Sequence, residues 1–355
     1  RRLKSMKITI LGSCLSGMAL ALRLIHSKHE VEICLPETGL ESCSSGYLFN
    51  SVSFESLSSL GLNLREWVTP LRGGRAHAAS DQIEAESGSH LFSADSLRLH
   101  QEIQKSVGED RYRFDSRFSH FEPRVGYHIK SAQFENGTEA LADLFVGADG
   151  VQSVVRKEQV PGPALSLVQT HQISGTSKFS DSDSVLRGRV ISYRVPQASG
   201  ELIIYPVDSG TVSWRLQVDA RGPLHTGTSS EELRQQVFQW SRDWPTELHP
   251  IFEESAITAV QSTKCSDRRL PHLFHKDNVV LIGKAAHPTL PDLYSGVDSD
   301  LEDALLLGDL LDEFEKGHFD SLDVCLTEFI RQRRPLLNSR IRRARAQQKR
   351  VLSTS

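Results

Sequence analysis

The sequence predicts an α/β fold: a parallel-sheet nucleotide-binding unit, an antiparallel sheet inserted into it, and helices at the C-terminal end. Three observations carry this. Residues 7–35 read as strand, glycine-bearing turn, helix and strand, a βαβ opening. Residues 144–146 form an apolar run that passes directly into Gly147-Ala148-Asp149-Gly150 and then into a helix. Between residues 166 and 218 the pattern changes to period-2 alternation between turn residues, the mark of an antiparallel sheet with one face buried.

Taken in order, residues 7–11 are a β-rich run, 12–17 the turn, 18–26 a helix and 31–35 the second strand. A Ser/Gly-rich loop at 42–46 leads to an amphipathic helix at 53–60, which Gly61 stops. Strand-like residues return at 82–92, a helix follows at 96–107, and strands at 124–129, 132–134 and 144–146 converge on the Gly147–Gly150 turn. The antiparallel strands are expected at 190–195, 202–205 and 212–218, followed by a helix at 231–240 and a strand at 257–262. Residues 278–282 are a buried strand leading into Gly283, and helices at 300–315 and 322–348 complete the chain. No internal repeat is visible.

With 355 residues and 38% hydrophobic content the chain can bury a large core and is not a single small module. A net charge of -4 gives no reason to expect nucleic acid or a membrane as partner and directs attention to small molecules. The five cysteines, Cys14, Cys34, Cys43, Cys265 and Cys325, are odd in number and lack a Cys-x-x-Cys pair. Neither a disulfide framework nor a metal site is therefore expected, and a reducing cytoplasm fits. The basic start and apolar run up to Leu24 are interrupted by Gly12, Ser13, Ser16 and Gly17, which divides them into a strand and a helix rather than a signal peptide. Residues 1–5 read as a leader before Met6, and no run approaches the roughly 20 apolar residues of a membrane span. Arg340, Arg342, Arg343, Arg345, Lys349 and Arg350 make the last helix basic. This reads as a solvated helix end, balanced by the acidic residues of 309–315.

Gly12-Ser13-Cys14-Leu15-Ser16-Gly17 sits where a Gly-x-Gly-x-x-Gly fingerprint would, with Cys14 at the middle glycine, and the helix N-terminus behind it can hold a pyrophosphate. The acidic residue that usually ends the second strand is replaced by Leu35, and Glu37 lies two residues on. Asp149-Gly150 with Ser153 and Arg156 form a second motif. Gly283-Lys284-Ala285-Ala286-His287-Pro288, Pro291, Gly296 and Glu302-Asp303-Ala304 form a third. Together these closely resemble the flavin-dependent aromatic hydroxylases, the p-hydroxybenzoate hydroxylase class of class A FAD-dependent monooxygenases. Asp267-Arg268-Arg269-Leu270-Pro271 and Phe329–Pro335 extend the resemblance along nearly the whole chain.

The resemblance implies an FAD/NAD(P)-binding Rossmann-like domain at residues 6–70, 93–160 and 260–310. It implies a substrate domain at 71–92 and 161–259, and C-terminal helices at 311–355. It implies FAD contacts at Gly12, Cys14, Gly17, Glu37, Arg98, Asp149, Gly150, Gly283, Lys284 and Gly296. It further implies NAD(P)H as transient reductant, O2, and an aromatic or polyketide-like substrate that is hydroxylated or epoxidised. The hairpin 200–207 with 212–216 would cover the flavin, with Tyr205 and Trp214 lining an aromatic pocket and His171 and His225 as acid-base candidates. Ordinary sheet packing is the plain reading of each, and His287 reads as structural.

Several positions depart from the family pattern. Leu35 replaces the ribose carboxylate, Ala94 an arginine, Lys284 the aspartate that would bond the ribityl chain, and Asp300 a small residue near the flavin. A flavin-free isomerase, cyclase or binding protein on the same fold is the alternative that these substitutions raise. Lys284 is expected either to pair with Asp298 or Asp300 or to face the FAD pyrophosphate.

Overall fold

The computed structural model describes all residues except 1–4, 37–44, 73–74, 77–89, 123–127, 167–169, 180–185, 196–199, 220–227, 291–296 and 353–355. Its centre is the strand Lys7–Leu11, whose apolar residues are buried because both faces of the sheet are covered. The sheet runs in the spatial order His275–Lys276, Val279–Leu281, Leu144–Gly147, Lys7–Leu11, Glu30–Cys34, Tyr112–Arg113, and only the first of these is antiparallel to its neighbour. Ile10 is in register with Ile33 on one side and Val146 on the other, and Val146 with Val280. Helix Leu15–Leu24 packs against Asp298–Glu315 and Ser96–Val107, closing the main core. A small antiparallel sheet of Phe118–Phe121, Ser131–Phe134 and Glu139–Leu141 joins the same core through Phe121, which lies edge-on to Phe145 at 5.3 Å.

The inserted layer is an antiparallel sheet ordered Ile257–Lys264, Thr170–Lys178, Thr211–Asp219, Gly200–Pro206, Ile191–Val195, with Arg75–Ala76 alongside the last strand. Alternation divides its side chains between two cores. Ile173, Leu202, Ile204, Val212, Trp214 and Leu216 pack with the helices Ser230–Ser241 and His249–Phe252. Ile203 and Tyr205 point the other way, toward Leu48 and Leu71. Those two residues belong to a third antiparallel sheet, Gly46–Asn50, Leu91–Asp95 and Thr69–Leu71, which ties the layers together. Tyr205 Oη donates to Gly46 O, Ser93 Oγ to Pro206 O and Thr69 Oγ1 to Val207 O.

The expected helices are present at Ser51–Ser59, Ser96–Val107, Ser230–Ser241, Asp298–Glu315 and Leu322–Leu352, the last running through Pro335. Most of the strands expected at 82–92 and 124–129 fall outside the described residues, apart from Leu91–Asp95 and an isolated bridge at His128. The basic end of the last helix is partly paired within the molecule, while Arg342, Arg343 and Lys349 are exposed. Arg340 pairs with Glu302, Arg345 with Asp267, and Gln348 Nε2 donates to Thr170 Oγ1.

Strand Thr170–Lys178 was not anticipated, because Ile173 is its only large apolar residue. Its small residues are a packing requirement: a Cβ on Gly175 would lie 2.3 Å from Trp214 Cζ2 and 2.5 Å from Ala259 O. Substituting Gly175→Ala is expected to cost about 1–3 kcal/mol by overpacking. Thermal unfolding measures it, and an unchanged Tm contradicts this account of the sheet.

Candidate flavin site

Three turns meet at the carboxyl ends of adjacent parallel strands, where open α/β sheets bind ligands: those after Lys7–Leu11, Leu144–Gly147 and Val279–Leu281. Their approach depends on missing side chains. Gly12 has φ +116°, and a Cβ there would meet Ala148 O at 2.5 Å. A Cβ on Gly17 would meet Ala148 Cβ at 2.7 Å. Cys14, at the middle glycine position, packs its sulfur on the Asp149-Gly150 turn, 3.3 Å from where a Gly150 side chain would begin, while its N–H donates to Ala148 O. Cys14 thus closes one turn onto the next.

Asp149 is half satisfied. Its Oδ2 accepts from Val154 N and Val155 N at 2.7 and 3.1 Å, capping the short helix Val154–Glu158, whereas its buried Oδ1 has no partner among the described residues. A carboxylate oxygen held in place and left open suits a hydroxyl-bearing ligand. Ser153 Oγ caps the same helix at Arg156 N. The Arg156 guanidinium donates to Ala285 O and Val151 O at 2.7 and 2.6 Å, joining the second motif to the third. Burial lowers its pKa, an effect that the Asp149 charge opposes.

The third motif rests on Asp303, which has no exposed side-chain surface. Its Oδ2 accepts from Gly283 N at 2.8 Å and bonds His287 Nε2 at 2.6 Å, and its Oδ1 takes Arg333 Nε at 2.6 Å. Arg333 and Arg340 continue to Glu302. Burial alone would raise the Asp303 pKa, but His287 and Arg333 hold it down at about 2. His287 is structural, as expected, and the network fixes Gly283, whose φ is +56°.

Lys284 does not form the expected ion pair with Asp298 or Asp300. It is exposed, whereas Asp298 accepts from Asn50 N and Ser53 Oγ at 3.1 and 2.5 Å. The Asp300 carboxyl has no hydrogen-bond or ion-pair partner among the described residues. Burial pushes both Asp298 and Asp300 up, toward the neutral acid.

The remaining candidates separate. Leu35 is fully buried, and its backbone bonds Arg113 and Ser116, so it continues the strand layer instead of facing a ribose. Ala94 is buried in a strand, and Arg98 is exposed, 5.2 Å over the Trp67 ring. Glu37, His225 and Gly296 lie outside the described residues. The pocket candidates do not converge. Trp214 faces away from the nucleotide unit, against Phe252 at 5.3 Å, with its indole N–H on Ser177 Oγ. His171 shares that face, in register with Val218 and Lys264, and burial lowers its pKa. Tyr205 lies on the opposite face with its hydroxyl on Gly46 O.

The same inner face carries Arg215, which lies within the hairpin but was not singled out from sequence. Its Nη2 donates to Gly46 O at 2.7 Å and its buried Nε has no partner among the described residues. Its strand position alternating with Trp214 was the available signal.

Asp303→Asn is expected to destabilise the protein by about 1–3 kcal/mol, because the buried Arg333 and His287 lose the charged oxygens they share while Glu302 keeps Arg333 partly paired. Since the folded carboxyl titrates below its unfolded value of about 3.9, its contribution is present above that pH and lost as pH falls toward 2. Denaturation across this range should show the loss in the parent and a flatter profile in the variant. Equal stability at neutral pH would refute the role given to Asp303.

A family model described as an FAD binding domain matches residues 111–342. The hispidin-3-hydroxylase of Neonothopanus nambi is 27% identical over 348 residues, covering 86% of this chain and 80% of that protein. The salicylate hydroxylase of Pseudomonas putida is 26% identical over 344 residues, covering 86% and 77%. Among solved structures, Klebsiella pneumoniae HpxO complexed with FAD and uric acid superposes with a TM-score of 0.79 at 19% identity, covering 98% of this chain and 88% of that one, which shows the shared fold. These matches, the open Asp149 Oδ1 and the bare glycine turns agree with a flavin-dependent protein and not with the flavin-free alternative. The chain belongs to the FAD binding domain family and is an FAD-dependent monooxygenase of the class A aromatic hydroxylase type.

Proposed function

We propose that the substrate is a small aromatic or polyketide-like molecule bearing an oxyanion, held on the inner face of the antiparallel sheet by Arg215. The observation that carries this is a buried guanidinium whose Nε is unpartnered and which has no carboxylate counter-charge among the described residues. A cation in that position favours an anionic ligand, and the Tyr205 ring at 5.8 Å supplies an aromatic neighbour. The names of the hispidin and salicylate hydroxylases fit the same class.

In this reading residues 6–70, 93–160 and 260–310 hold the cofactor, 71–92 and 161–259 hold the substrate, and 311–355 brace the two. The pairing of Arg75–Ala76 with Ile191–Ser192 supports the first part of the substrate unit. Gly12, Gly17 and Gly283 let the turns around the diphosphate close on one another, Cys14 and Gly150 shape the adjoining wall, and Asp149 Oδ1 accepts from a hydroxyl. The exposure of Lys284 supports a contact with a phosphate rather than with a protein carboxylate. When bound, FAD supplies hydride acceptance from NAD(P)H and activation of O2. The side chains supply position, charge and exclusion of water. The thiols at Cys34, Cys265 and Cys325 accord with a reducing, cytoplasmic setting. No helix among the described residues is long and apolar enough to cross a membrane.

Asp149→Ala is expected to lose most bound FAD, measured by flavin absorbance after desalting. Unchanged flavin content and reduction rate would remove Asp149 from the site. With FAD-loaded protein, NAD(P)H oxidation should be stimulated by aromatic carboxylates and phenolates over uncharged analogues. Arg215→Met should raise KM for the anions by about tenfold or more, the loss of one charge-assisted contact. Equal use of charged and neutral aromatics by the parent would defeat the anionic-substrate reading.

A further inference from the structure

Two buried polar groups, Ser16 and Asp300, point at one spot. Ser16, in the first turn of helix Leu15–Leu24, is fully buried with its Oγ unpartnered. Asp300, in the first turn of Asp298–Glu315, is 8% exposed, and its carboxyl has no hydrogen-bond or ion-pair partner among the described residues. Both converge on Gly283: a Cβ there would lie 2.4 Å from Ser16 Oγ and 2.8 Å from Asp300 Oδ1. The bare Cα of Gly283 therefore separates a hydroxyl and a carboxyl at the junction of the first glycine turn and the Gly283-Lys284 turn, where a helix N-terminus favours phosphate.

A carboxylate here is in conflict with its surroundings. Protonated, Asp300 is a neutral donor compatible with an anionic ligand. Ionised, it places a negative charge in low dielectric beside the site of a diphosphate. The charged and titratable groups acting on it are Lys284 and His287 from the Gly283 turn, Asp303 from its own helix and Arg333 from the C-terminal helix. Ser16 is the polar group facing it from the first helix. None of the cations comes within ion-pair distance. Burial raises the pKa of Asp300, against the opposing influence of Lys284 and His287, which brings the neutral form toward the accessible pH range.

We propose that Asp300, with Ser16 beside it, is a proton-controlled determinant of FAD retention: the cofactor is held while Asp300 is a neutral acid and is released when Asp300 ionises. This rests on the flavin-dependent reading and deepens it, because it makes cofactor occupancy a function of pH. The linkage has a definite sign. Bound FAD raises the Asp300 pKa further, so affinity is constant below the pKa of the cofactor-free protein and falls by about tenfold per pH unit above it. At those higher pH values each FAD bound takes up one proton.

The test is the FAD dissociation constant of the flavin-stripped full chain, measured by flavin fluorescence over a pH series, for the parent and for Asp300→Asn. The asparagine keeps the shape and donor capacity of the neutral acid but cannot ionise. The expected result is a declining affinity in the parent, a flat profile in D300N at the parent's low-pH affinity, and proton uptake on binding in the parent alone, read by calorimetry in buffers of different ionisation enthalpy. Asp300→Ser, smaller and uncharged, should also be flat, which covers the case in which D300N does not fold. A parent that binds FAD with a flat profile, or a D300N or D300S slope equal to the parent's, overturns the proposal and leaves the FAD reading standing. Failure of the parent and both variants to bind FAD at any pH overturns the FAD reading and the proposal with it.

Discussion

The close approach of Gly12 and Gly17 to Ala148 is the constraint on which the rest of the molecule depends. It lets the first strand, the first helix and the Asp149-Gly150 turn share a boundary with no side chain between them. A methyl group at either glycine would force backbone apart, and with it the register of Ile10 against Val146 that centres the parallel sheet. Cys14 fits this arrangement because it lies on the outer side of the contact, where its sulfur meets Gly150 and not Ala148. The replacement of the middle glycine is thus tolerated where replacement of its two neighbours would not be.

The second support is electrostatic. Asp303 is buried at a cost that burial alone would impose in full, and three donors offset it: Gly283 N, His287 Nε2 and Arg333 Nε. Those donors come from the turn that shapes the flavin site and from the C-terminal helix, so one carboxylate couples cofactor geometry to the docking of that helix. The same helix reaches the antiparallel sheet through Gln348 on Thr170, and the loop that follows strand Ile257–Lys264 through Arg345 on Asp267. The glycine turns and the antiparallel sheet are therefore held by one continuous element, although they arise from separate parts of the chain.

The two faces of the antiparallel sheet have different tasks. Trp214, Ile173 and Leu216 form a closed apolar core with the small helices beyond it, and that face needs no ligand. The inner face carries Tyr205 and Arg215, whose hydroxyl and guanidinium both reach Gly46 O. A carbonyl that accepts twice and a guanidinium left with an open Nε are consistent with a surface completed by something other than protein.

The sequence by itself determined the βαβ opening, the three glycine turns, the C-terminal helices and the family, because periodicity and glycine placement are local properties that survive substitutions elsewhere. It missed Thr170–Lys178, whose polar and small residues are explained only by Trp214 on the neighbouring strand. It grouped Tyr205, Trp214 and His171 as pocket residues, although alternation along a strand puts the last two on the far face once the sheet's inner side is known. Matching opposite charges suggested a pair between Lys284 and Asp298 or Asp300, whereas the turn directs Lys284 to solvent and the helix entry gives Asp298 to Ser53. Asp300 has no partner among the described residues for the same reason: pairing and burial depend on which elements cross at a point, and that crossing was decided only by the tertiary structure.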